Sequence, residues 1–147
     1  MQMPVRDFIV LACAALWFGS LSAIGFIAVP QLFAHLGTPA AAGNMAAKLF
    51  SAQSWVSMGC GLLLLMAARR GSPPVIAPWA KGGLPFVAAG MLLALLLEHA
   101  VAPRIAAREN LALWHSVGTA LYALQWACAL WVLWQVGRPR PQRPPPQ

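Results

Sequence analysis

Phe8-Ile9-Val10-Leu11-Ala12-Cys13-Ala14-Ala15-Leu16-Trp17-Phe18-Gly19-Ser20-Leu21-Ser22-Ala23-Ile24-Gly25-Phe26-Ile27-Ala28-Val29 runs without one charged side chain. A helix rises about 1.5 Å per residue, so about 20 residues cross a hydrocarbon core about 30 Å thick. This stretch is long enough to cross alone. Three more follow. Leu49–Ala68 is interrupted by Gln53 and a few serines. Leu84–Ala102 is apolar until Glu98 and His99, and Leu111–Val136 carries His115. The expected fold is an all-α, four-helix transmembrane bundle with helices at about 8–29, 39 or 49–68, 84–102 and 111–136. That domain, 1–136, leaves a Pro/Arg-rich tail at 137–147, which cannot bury a core and reads as disordered.

The chain is 60% hydrophobic and 9% charged, where a soluble domain carries roughly 25% charged residues. The gaps between spans are too short for a water-soluble domain. The net charge of +7 does not mark a nucleic-acid binder, because the basic residues sit at span ends and in the tail rather than on one soluble face. Arg6, then Arg69, Arg70 and Lys81, then Arg138, Arg140 and Arg143 fall in segments that must share one side. Lys48, Arg104 and Arg108 fall on the other. The positive-inside rule then puts both termini in the cytoplasm. The first apolar run exceeds the usual 7–15 residues of a signal peptide and lacks a clear cleavage site, so it reads as a retained helix. Cys13, Cys60 and Cys128 lie inside spans at spacings that match no metal motif, and are assigned no chemistry.

Small residues recur at helical spacing: Ala15, Gly19 and Ala23 in span one, Thr119, Ala123 and Ala127 in span four. Such faces let helix backbones approach closely in lipid and are expected inside the bundle. Trp79, Trp114, Trp131 and Trp134 near span ends read as an aromatic belt, Trp17 and Trp126 as deeper packing groups. Thr38-Pro39 reads as an N-cap followed by proline at the first helical position, starting helix two near Pro39. Arg69–Gly83, with three prolines and three glycines, reads as an irregular connection. Ala28-Val29-Pro30 and Val101-Ala102-Pro103 form a weak repeat. Two hairpins in the same orientation would produce it, and so would two helices that each end at a proline.

Placed on this topology, His35, Lys48, Glu98, His99, Arg104, Arg108, Glu109 and His115 all gather at the extracytoplasmic end. All three histidines and two of the three acids share that layer. Ionisable groups within a span are functional candidates by default. Glu98 and His115 are the candidate ligand-binding groups and the candidate metal ligands, with His99 and Arg104 secondary. Pro30 and Pro103 lack an N–H, which frees the carbonyls of Phe26 and His99 to shape a pocket mouth. A polar cluster that only holds the helices together, with Glu98 paired to Arg104 or Arg108, is the competing reading. There is no HxxxH, ExxH or CxxC, no nucleophile elbow and no phosphate loop. An enzyme is the less favoured class.

Trp17-Phe18-Gly19, Val29-Pro30-Gln31-Leu32-Phe33, Ala42-Gly43 and Leu49-Phe50, with Pro103 and Trp114-His115 in the second half, resemble the transmembrane protein 205 family and its bacterial relatives, domain of unknown function 4149. The resemblance spans about Phe8 to Trp134. It implies a four-helix protein of the bacterial inner membrane with no established activity. A eukaryotic member's association with platinum-drug resistance hints at metal or solute handling. Copper resistance protein D and membrane protoporphyrinogen oxidase are distantly similar. In the oxidase's Pro-Arg-Leu-Phe-type motif this chain has Gln31 for Arg, and it lacks the family's early histidine in span one.

The leading expectation is an inner-membrane protein that binds or passes a small solute or metal ion at a polar pocket on the periplasmic side. The alternatives are a haem-binding oxidoreductase, with His99 or His115 as axial ligand, and an assembly subunit packed on partner helices. No cofactor is required by the sequence. The expected partners are the lipid bilayer and a second copy or other membrane helices.

Overall fold

The computed structural model describes residues 4–71 and 75–138. Four helices make up most of it: α1 Val5–His35, α2 Pro39–Ala67, α3 Pro78–Ala106 and α4 Leu111–Gly137. Each is long and apolar enough to cross a membrane. At 27 to 31 residues they extend roughly 40–47 Å, the hydrocarbon core plus its interfaces. Each is longer than its apolar run, because caps and prolines set the ends. Thr38 caps α2 through its Oγ1, which accepts from the Ala41 amide at 3.2 Å, and Pro39 takes the first helical position. Asn110 caps α4 from a left-handed conformation (φ 35°) that its short side chain tolerates, with Oδ1 accepting from Leu113 N–H at 3.4 Å.

The sequence places helix ends at Pro30 and Pro103, and the structure corrects this. α1 continues through Pro30 to His35, and α3 through Pro103 to Ala106. The turn before each proline is a π-helix, Ile24–Ala28 and Leu97–Val101. There the residue before the proline reaches back five positions: Val29 N–H to the Ile24 carbonyl, Ala102 N–H to the Leu97 carbonyl. The extra residue in the turn makes room for a ring that would clash with the carbonyl four residues back in a regular helix.

The connection at Arg69–Gly83 is also more ordered than expected. β1 (Arg69–Arg70) pairs antiparallel with β2 (Val75–Ile76), and α3 has begun by Pro78. Arg6 Nη2 donates to the carbonyls of Ala67 and Arg69, tying the start of α1 to the end of α2. The expected tail, 139–147, lies outside the described residues.

The two halves match along their length. The π turns are 73 positions apart, Ile24 to Leu97 and Ala28 to Val101. At the same offset the buried positions coincide: Val10 with Gly83, Ala14 with Val87, Trp17 with Gly90, Leu21 with Ala94. In the second helices the caps Thr38 and Asn110 are 72 apart, and so are the buried pairs Gln53/Gln125, Ser57/Ala129 and Cys60/Val132. The bundle is thus a helical hairpin used twice in the same direction, an architecture known from membrane transporters.

Trp17 is fully buried at the junction of the halves. A Cβ on Gly90 would stand 2.6 Å from its Cζ2 and Cη2, so the bare backbone of α3 is what admits the indole. Two packing expectations fail here. Ala15, Gly19, Ala23, Thr119, Ala123 and Ala127 face outward, not into the bundle. The large side chains Trp17, Leu21 and Val132 hold the interior, which displaces the small-residue stripes to the opposite faces. Trp79 is not in a belt either: it packs in the core against Gly83.

Candidate functional site

The two π turns are equivalent in backbone and different in chemistry. In α1, Tyr122 of α4 fills the widened turn. Its hydroxyl donates to the Leu21 carbonyl at 2.8 Å, with its ring against Gly25. Glycine is required there, because a Cβ on Gly25 would stand 2.8 Å from Tyr122 Cε1. Next to it Trp126 Nε1 donates to Ser22 Oγ at 2.9 Å, and Ser22 donates to the Phe18 carbonyl at 2.8 Å. This half of the repeat is closed by aromatic side chains.

In α3 the position of Gly25 is taken by Glu98, and the position of Tyr122 by Phe50 of α2, which lacks a hydroxyl. Phe50 and Tyr122 meet edge to face, ring centroids 5.2 Å apart. Glu98 is half-buried, and its Oε1 accepts from Ser51 Oγ at 2.7 Å. It lies eight residues inside the end of α3, roughly 12 Å of helix. That is deeper than the sequence implied, because α3 does not stop at Pro103.

The other sequence candidates occupy the same end without converging on Glu98. His99 is exposed on the π turn. His115 is exposed on α4, its Nδ1 2.9 Å from the Leu111 carbonyl, which leaves Nε2 outward. Arg104 reaches back to the Ala100 carbonyl at 2.6 Å, with its guanidinium 4.5 Å from the centre of the Trp114 ring. The π turn thus has a carbonyl capped by the chain's own arginine. Pro30 and Pro103 sit just past their π turns, exposed. Among the described residues no three His, Cys, Asp or Glu side chains cluster to hold a metal.

Sequence reasoning missed a second polar group. Gln53, at the midpoint of α2, is buried with Ser57 and with Gln125 of α4. Gln125 Nε2 donates to Ser57 Oγ at 2.9 Å, and Gln53 Nε2 to the same oxygen at 3.3 Å. Gln53 Oε1 is buried with no hydrogen-bond partner among the described residues, and so is Trp17 Nε1. The available signal was Gln53-x-x-x-Ser57, an i, i+4 polar pair in an apolar span, with a second glutamine in a later span.

No curated protein and no solved structure matches the chain. A family profile described as domain of unknown function (DUF4149) matches residues 12–113, well over half the chain and all of it within the four-helix region. The matched segment carries both π turns, Ser51 and Glu98. This four-helix membrane protein therefore belongs to the DUF4149 family.

Proposed function

We propose that this protein binds a small solute or metal ion at the end of the bundle that carries Glu98, and that this end faces the periplasm of an inner membrane. Glu98 is the principal binding group; His115, His99 and Arg104 lie at the same end of the bundle, and Pro30 and Pro103 shape the mouth through their π turns. The observation that carries the reading is the divergence of the repeat. One half plugs its widened turn with Tyr122, whereas the other puts a carboxylate there and holds it with a single serine hydroxyl. A carboxylate within an apolar span carries a free-energy cost that a bound cation or hydrogen-bond donor offsets. The charge distribution supports this orientation: Arg6, Arg69, Arg70, Lys81 and Arg138 lie at the opposite end, which the positive-inside rule favours as the cytoplasmic face.

The test is elemental analysis of gently purified protein for iron, copper and zinc, with Glu98→Gln and His115→Ala beside the wild type. A near-stoichiometric metal lost in both variants supports the metal form of the reading. A metal retained in both excludes this site. Absence of metal from all three samples removes the metal form and leaves an organic solute. A second reading, a subunit that packs on a second copy or on partner helices, is favoured by the outward stripes Ala15/Gly19/Ala23 and Thr119/Ala123/Ala127, where backbones can approach closely. Cross-linking in native membranes across Gly19→Cys separates it from the first.

A further inference from the structure

The repeat explains why Gln53 has an orphaned oxygen. Gln53 and Gln125 are equivalent, each fifteen positions past its helix cap, Thr38 and Asn110. Four residues further on, the first half has Ser57 and the second has Ala129, both fully buried. Ser57 serves both amides: it accepts from Gln125 across the bundle and from Gln53 along its own helix. In a symmetric bundle a hydroxyl at 129 would face Gln53 as Ser57 faces Gln125, and a hydroxyl has a proton to donate as well as lone pairs to accept. Alanine removes that hydroxyl, and Gln53 Oε1 is left buried without a donor among the described residues.

We propose that a single buried water occupies this place, beside the Ala129 methyl, donating to Gln53 Oε1. Three observations converge on such a guest. The unmet group is an acceptor, so the guest must donate. Ser57 Oγ already accepts from two amides, so its own proton remains to be given to an acceptor. The groups are neutral amides and a hydroxyl at the middle of the bundle, with no charged side chain bonded to them among the described residues, so the guest is uncharged. A buried water makes 2–4 hydrogen bonds to groups of this kind. In hydrocarbon an acceptor left unmet costs more than it does near bulk water. This inference is independent of the Glu98 reading, because it concerns the midpoint of the helices rather than their outer end.

The test is an experimental structure of the full chain at a resolution that shows single waters, for the wild type and for Ala129→Ser. The expected result is a density peak within hydrogen-bond distance of Gln53 Oε1 in the wild type, absent from Ala129→Ser, where the new hydroxyl stands in its place. Thermal unfolding supplies the second readout. Exchange of a water for a hydroxyl leaves the midpoint nearly unchanged, whereas filling an empty site raises it by several degrees. No peak in the wild type, or a Gln53 amide whose oxygen meets a protein donor, overturns the proposal. So does a clear stabilisation by Ala129→Ser. If that variant fails to fold, the wild-type density alone decides.

Discussion

Replacing Gly90 by alanine tests the junction between the two hairpins. The added Cβ would lie 2.6 Å from two ring carbons of Trp17 and 3.5 Å from Cys128 Cβ. Carbon atoms rest at about 3.5–4.0 Å, so the overlap with the indole is about 1 Å. Trp17 cannot yield easily, because it is fully buried and its ring is rigid. Overpacking of this kind costs about 1–3 kcal/mol, and the better helix propensity of alanine returns about 1 kcal/mol. The expected net loss is about 1 kcal/mol, a fall of about 2–4 °C in the unfolding midpoint for a chain of this size. Gly19→Ala is the control. Gly19 is equally helical, nothing stands within 4 Å of its built Cβ, and the same change there should be neutral or mildly stabilising. The assay is thermal unfolding of both variants in one lipid nanodisc preparation. Trp17→Phe in the Gly90→Ala background should recover part of the loss, which marks the two sites as coupled. If Gly90→Ala is as stable as Gly19→Ala, the close approach of Trp17 to α3 is wrong.

Tyr122→Phe removes the hydroxyl that fills the first π turn, and should lower stability by about 0.6 kcal/mol, the average for hydrogen bonds within a membrane bundle, and by no more than about 1.7 kcal/mol; chemical denaturation in mixed micelles measures it. Phe50→Tyr adds the missing hydroxyl at the second π turn and should weaken ligand binding at Glu98 without unfolding the bundle, as read by the retained metal or solute. Thr38→Ala removes the α2 cap and should cost about 1 kcal/mol, with faster amide exchange confined to the first turn of α2.

The four spans and the Thr38 cap are legible in the sequence, because each rests on local chemistry: run length, and a capping residue followed by proline. The two matching prolines point equally to a repeat and to two helices that each end at a proline, and only the buried positions of the bundle separate these. The π turns are not legible. A proline in an apolar run signals either a stop or a widened turn, and which of them occurs depends on packing from α2 and α4. The direction of the small-residue stripes was misread for a related reason. Spacing marks a face but not its partner, and Trp17 and Leu21 claim the interior by volume. Of the site, Glu98 was visible as a lone acid in a span, but its partner Ser51 was not, since contacts 47 residues apart leave no local pattern. Gln53 reads from the sequence only as an interruption of an apolar run, and Gln125 carries no local signal, although the two stand at equal distances from their helix caps.

The most direct test of the central claim, that Glu98 is a bilayer-embedded carboxyl group open to a ligand, is labelling with a hydrophobic carbodiimide in native membranes, read by peptide mass spectrometry. The account predicts modification of Glu98, a faster reaction in Ser51→Ala and none in Glu98→Gln, while exposed Glu109 reacts with a water-soluble carbodiimide instead. Glu98 inert to the hydrophobic reagent in both wild type and Ser51→Ala, or modified only by the water-soluble one, would contradict it.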